Sequence, residues 1–205
     1  MIALEGEPHF DGTLPNAEIE ALADPARMRI AVPYAGAGSS IDGALIKYHP
    51  RREGYEPGWV DADISRFDRK LVLIDSLNAI SWAPRDFFGL ALAHPQAQFV
   101  MCHAGGYDLL EFVKMCRFAS NVWLDFSVTQ HEFGWVSGQR SPAFVADLID
   151  HALGEWRTAP RIIFGSDYPL LEQADAVTRL VDLVADPEPF LTGNFERLLE
   201  LLELP

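Results

Sequence analysis

The run Arg161-Ile162-Ile163-Phe164-Gly165-Ser166-Asp167-Tyr168-Pro169 sets apolar, β-branched residues directly ahead of a Gly-Ser pair, a carboxylate and a proline. It reads as a buried parallel strand that delivers Asp167 to its C-terminal end, where Pro169 closes off further pairing. A second segment, Gln98-Phe99-Val100-Met101-Cys102-His103-Ala104-Gly105-Gly106, has the same form and delivers His103 into a glycine pair. In α/β proteins, ligands and catalytic groups collect at strand C-termini. An imidazole and a carboxylate on one rim are the layout of an active site.

Working outward, short apolar runs alternate with longer amphipathic ones. Strands are expected over Met28–Tyr34, Ala44–Tyr48, Leu71–Asp75, Gln98–His103, Val122–Phe126 and Arg161–Gly165, with Met1–Leu4 as a seventh. Helices are expected over Asp86–Ala93, Asp108–Ala119, Pro142–Glu155 and Gln173–Ala185. In the second of these, Leu109, Leu110, Phe112, Val113 and Met115 recur near a 3.6 period, with Glu111, Lys114 and Arg117 opposite. Ser141-Pro142 has the form of an N-cap followed by a first-turn proline. Strand–helix alternation implies parallel strands with right-handed crossovers. The spacing suits a β/α barrel as well as an open doubly wound sheet. The link from Tyr34 to Ala44 is short, since a parallel crossover normally takes at least ~10–12 residues. No linker or repeat divides the 205 residues, so residues 1–205 are read as a single domain.

Composition narrows the function. A net charge of −14 and only three cations in the longest basic cluster, Lys47 to Arg52, argue against nucleic acid. No apolar run approaches the ~20 residues needed to span a bilayer, so no membrane is expected. Met1 to Phe10 lacks the basic start and apolar core of a signal peptide, and two cysteines read as reduced thiols. Together these predict a cytoplasmic protein. Cys102 precedes His103 and is expected on the opposite side of its strand, which argues against a Cys–His pair.

Several residues admit two readings. Asp167 is a site carboxylate or a cap on the turn after its strand. His103 is a site residue or a core imidazole bonded to a carbonyl. Asp75 ends the run Leu71-Val72-Leu73-Ile74 and would be costly to bury unpaired, so it needs a partner. Lys47 on the neighbouring strand is one such partner, and a ligand role for Asp75 is the other. His49 and Arg51 suit an anionic substrate or a solvated loop. Asp125 and Ser127 read as hydrogen-bonding groups on the rim.

Ile46-Lys47-Tyr48-His49-Pro50, Leu73-Ile74-Asp75-Ser76, His103-Ala104-Gly105-Gly106, Asn121-Val122-Trp123-Leu124-Asp125, Phe164-Gly165-Ser166-Asp167-Tyr168-Pro169 and Gly193-Asn194-Phe195-Glu196-Arg197-Leu198-Leu199 occur in that order. The order resembles the amidohydrolase-related family of metal-dependent TIM-barrel hydrolases and decarboxylases, over roughly Ala21 to the C-terminus. The resemblance implies a TIM-type β/α barrel, here incomplete or distorted, with six to seven recognisable parallel strands matching the family's second to eighth. It implies a small-molecule substrate, with His103 polarising its carbonyl and Asp167 as a metal ligand and general base. The metal would be a divalent ion, zinc or manganese, with Asp167, His103 and Asp75 as its candidate ligands.

Two departures bear on that metal. The chain has no His-x-His, the nearest approximation being Glu7-Pro8-His9, and Asp75 stands where the family has a histidine. An oxygen-rich set favours harder cations than the usual histidine-rich zinc site. The function expected is hydrolysis, or a related decarboxylation, of a small carboxylated or cyclic carbonyl compound. Asp167 is then the base, His103 the polarising group, and Lys47, His49, Arg51 and Asp125 bind substrate. The alternative is a metal-free, catalytically inactive relative acting as a binding or assembly subunit. A barrel this short would expose a strand edge, which predicts a homo-oligomer that covers it.

Overall fold

The computed structural model describes residues 2–3, 30–36, 41–77, 82–127, 142–167 and 172–203. Glu7-Pro8-His9, His131, Trp135 and Pro169 lie outside them. The strands are β1 (Ile2–Ala3), β2 (Ile30–Ala31), β3 (Leu45–Tyr48), β4 (Leu71–Asp75), β5 (Gln98–Cys102), β6 (Val122–Asp125) and β7 (Ile162–Ile163). β3 to β7 form one five-stranded sheet in chain order, every pair parallel. β1 and β2 form a parallel pair. The chain just after β2 joins the larger sheet: Lys47 N–H donates to the Pro33 carbonyl, Ala35 N–H donates to that of Lys47, and Tyr34 bridges Lys47 in parallel. Sequential neighbours in parallel order are the topology of a β/α barrel, and here the ring is incomplete.

The sheet has two apolar faces. Ile46, Tyr48, Val72, Ile74, Phe99, Met101, Val122, Leu124 and Ile162 pack outward under the helices. The helices that follow the strands are α1 (Pro50–Glu53), α2 (Pro57–Phe67), α3 (Pro84–Ala93), α4 (Leu109–Phe118), α5 (Pro142–Gly154), α6 (Gln173–Leu183) and α7 (Asn194–Leu201). Prolines open α1, α2 and α3 at their first helical position, where a missing N–H costs nothing. Leu71, Leu73, Val100, Cys102, Trp123 and Ile163 point the other way, into the barrel, and are joined there by Val32, Leu198 and Leu199. Both faces of these strands are dry, so they read as continuous apolar runs rather than alternating ones.

β7 is the shortened strand of the main sheet. On the side away from β6, the Ile162 carbonyl and the N–H of Phe164, the residue just after β7, take partners other than a strand. A π-helical turn over Pro189–Gly193 and α7 take up that side. Phe164 N–H donates to the Phe190 carbonyl at 2.9 Å, and Asn194 Nδ2 donates to the Ile162 and Ala159 carbonyls at 2.7 and 2.8 Å. The expected strand over Arg161–Gly165 is therefore only two residues long, because its last groups bond to a helix rather than a strand. On this side the edge is covered from within the chain.

Candidate active site at the strand ends

Asp75, Cys102 and Asp125 are the last residues of β4, β5 and β6, and His49 and His103 directly follow β3 and β5. Parallel register sets these groups on one rim; Asp75 pairs with Cys102 across β4 and β5. His103 leaves its strand with φ of 65°, and Ala104, Gly105 and Gly106 follow at 46°, 78° and 54°. Four successive residues in the left-handed region reverse the strand's alternation. His103 therefore turns into the barrel mouth beside Cys102 instead of away from it. The expectation that Cys102 and His103 face opposite sides is corrected on this point, because strand alternation does not extend through a left-handed turn. Burial nonetheless pushes the Cys102 thiol far up, with Asp125, Asp75 and Asp167 adding to it against Lys47, so no thiolate nucleophile stands there.

The turn is held from two sides. Ser76 Oγ accepts from Gly105 N–H at 2.9 Å and donates to the Cys102 carbonyl at 2.6 Å. A Cβ on Gly105 would stand 2.1 Å from the Phe112 ring, so only glycine fits. Asp167 also has a positive φ, 56°, without being glycine. Non-glycine residues in this region cost on the order of 1–3 kcal/mol each and gather at functional sites.

Asp75, 1% exposed, is the hub of the cluster. His103 Nε2 lies 3.2 Å and His49 Nε2 3.4 Å from its Oδ2, and Arg51 Nε lies 3.8 Å from its Oδ1. Burial drives the Asp75 carboxyl up, but the adjoining His103, then His49 and Arg51, outweigh it and hold the group below its usual range. Burial drives the His103 imidazole down. Asp75 first, then the charges of Asp167 and Asp125, reverse this and hold it above its usual value. Asp125 is raised, chiefly by burial and also by the Asp167 charge, against His103 and two hydrogen bonds from Ser127. The charge of Asp167 is felt by both His103 and Asp125.

The sequence profile of the amidohydrolase family matches residues 52–200, well over half of the chain. The chain belongs to the amidohydrolase family. Among curated proteins none matches it. Solved structures agree on the fold of the chain. An uncharacterized TIM-barrel protein from Bordetella bronchiseptica superposes with a TM-score of 0.67 at 14% identity, over 98% of this chain and 78% of the other. A probable 2-pyrone-4,6-dicarboxylic acid hydrolase from Acinetobacter baumannii, solved with citric acid bound, gives 0.61 at 16%, over 97% and 82%.

Among the described residues, no three His, Cys, Asp or Glu side chains are arranged to hold a metal ion. Asp75 and His103 come together at 3.2 Å and the charge of Asp167 reaches His103, but this is not a ligand set. His103 directs Nε2 at Asp75 and Nδ1 at Ser127, so neither nitrogen is aimed at a shared point between the carboxylates. The metal expectation built on these three residues does not fit the donors. Asp75 is paired with imidazoles and a guanidinium, not with Lys47. Lys47 is buried on the inward face of β3, level with Leu73, and among the described residues no ion pair or hydrogen bond engages its ammonium. Gly165 and Ser76 escaped the sequence reading as site residues. The one available signal was position, two residues before Asp167 and one after Asp75.

Proposed function

We propose that the chain is a hydrolase of a small carboxylated or cyclic carbonyl compound, with decarboxylation as a variant of the same site. The observation that supports this is a buried imidazole, His103, held 3.2 Å from Asp75 at the C-terminal rim of a parallel barrel, with a second one, His49, beside the same carboxylate. Raised above its usual value, His103 meets a substrate as a donor. Its Nε2–H, loosely directed at Asp75, is the hydrogen a carbonyl oxygen would share, stabilising the charge that develops there. Asp167 takes the proton of a water as the oxygen of that water attacks the carbonyl carbon. When the intermediate collapses, the C–O or C–N bond breaks and Asp167 returns the proton to the leaving atom. Lys47, His49 and Arg51 form the anion-binding side. A buried ammonium without a counter-charge is costly, and an incoming carboxylate offsets that cost. No step is routed through a metal, because both nitrogens of His103 are turned to Asp75 and Ser127.

The test is a panel of small lactones and esters, with and without a carboxylate, assayed against the wild type and Asp167→Asn. Turnover should fall about 10²–10⁴-fold in the variant, and dialysis against a chelator should leave the wild-type rate unchanged. Equal turnover of wild type and variant would remove the role given to Asp167. A folded wild type that turns over nothing in the panel, but binds a dicarboxylate by calorimetry, would favour the non-catalytic binding subunit.

A further inference from the structure

Ser127 has no part in the chemistry above, yet both its oxygens lie against the ring that carries it. Oγ stands 2.9 Å and the peptide oxygen 3.3 Å from His103 Nδ1. A peptide carbonyl only accepts, so Nδ1 carries the hydrogen in this contact. The hydroxyl hydrogen of Ser127 is directed elsewhere, to Asp125 Oδ2 at 2.7 Å, while Ser127 N–H donates to Asp125 Oδ1 at 2.9 Å. The polarity runs one way: Asp125 accepts from Ser127, and Ser127 accepts from His103. All three groups are buried.

Room for this arrangement comes from Gly165. A Cβ there would stand 2.4 Å from Asp125 Oδ1 and 2.9 Å from Ser127 Cβ. The close approach lets the ends of β6 and β7 meet over the ring without displacing the carboxylate.

We propose that Asp125 and Ser127 are positioning residues for His103: Asp125 orients the Ser127 hydroxyl so that the Ser127 oxygens fix a proton on Nδ1 and hold Nε2 toward Asp75 and the mouth. With an acceptor on each side, the ring faces substrate as a donor rather than as a base. The catalytic consequence rests on the hydrolase reading; the proton assignment does not. Asp125 then acts through His103 instead of touching substrate.

The variant Asp125→Asn tests the polarity. Asparagine keeps one acceptor, which Ser127 N–H claims, so its NH₂ group turns to Ser127 Oγ. The serine hydrogen then competes for His103 Nδ1, which keeps only the Ser127 peptide oxygen as an acceptor. Nitrogen-15 NMR of the imidazoles at neutral pH should show Nδ1 of His103 protonated in the wild type and a smaller Nδ1-protonated share in Asp125→Asn. A folded Asp125→Asn with an unchanged Nδ1 signal overturns the proposal, whatever happens to the rate. Should that variant not fold, Ser127→Ala serves. Its kcat on a hydrolysed probe should fall about 10-fold or more with KM little changed, and Ser127→Thr should recover most of the loss. An unchanged kcat in Ser127→Ala overturns the proposal as well. If no probe is hydrolysed at all, the hydrolase reading fails alone and the NMR comparison, with Ser127→Thr against Ser127→Ala as its second pair, still decides the proton. There Thr keeps Nδ1 as in the wild type while Ala alters its shift, and identical Nδ1 signals in the two overturn it.

Discussion

At the scale of single residues, the left-handed turn after β5 is where the backbone is least forgiving. Gly105→Ala adds a methyl group into the Phe112 ring at a φ of +78°. The combined overpacking and backbone strain should lower stability by about 2–4 kcal/mol, readable as a shift in the urea midpoint with an unchanged slope. The buried His103–Asp75 pair makes a second prediction, about pH. His103 is raised in the fold from an ordinary value of 6.5, so its contribution is complete below that value and is lost as pH climbs through the raised one. Asp75 is lowered from 3.8, so its contribution is present above that value and is lost as pH falls through the lowered one. Asp125, raised from 3.8, also favours the protonated side. Stability should therefore be greatest in the weakly acidic range and decline above neutral pH, and His103→Gln should flatten that decline in urea titrations across the range. The sequence exposed His103 and Asp167 because each ends an apolar run. It hid the partnership of Asp75 with His49 and His103, since parallel register, not spacing, brings β3, β4 and β5 level. It also hid Gly165, whose need to be glycine comes from a carboxylate forty residues away in the chain.

At the scale of elements, α7 does what a strand would otherwise do. Asn194 holds two carbonyls of the β7 edge region. Asn194→Ala leaves them unpaired in a buried setting and should cost about 1–3 kcal/mol; a loss no greater than at an exposed control position would refute the capping role. Here the sequence was only half informative. β4 was read to the residue because five consecutive apolar or buried positions leave no other interpretation. The helices α1 and α2 are not legible from periodicity, although Pro50 and Pro57 mark first helical turns, because α1 is four residues long and α2 buries only Val60, Asp63 and Ile64. Tyr55 stacks on Trp59 with centroids 4.7 Å apart, a tertiary contact that periodicity does not register. The segment of α7 was noticed as a motif, and its role at the sheet edge follows from contacts about thirty residues distant.

At the scale of the molecule, an incomplete ring of parallel strands is stabilised by two separate apolar layers, one inside and one outside the sheet. The expectation of a homo-oligomer rested on a bare strand edge, and along β7 the chain itself supplies the cover. Each layer also contains one free thiol: Cys102 in the inner, Cys116 in the outer. Burial holds both protonated, Cys116 pushed up to about 12 despite Arg161 nearby. Neither should react with an alkylating reagent while the fold is closed. The pair is thus a built-in two-channel clock for breathing motions. Mass spectrometry of peptides labelled in mild denaturant should find Cys102 capture accelerated by Asn194→Ala more than Cys116 capture. Equal acceleration of both would mean that the two layers come apart as one.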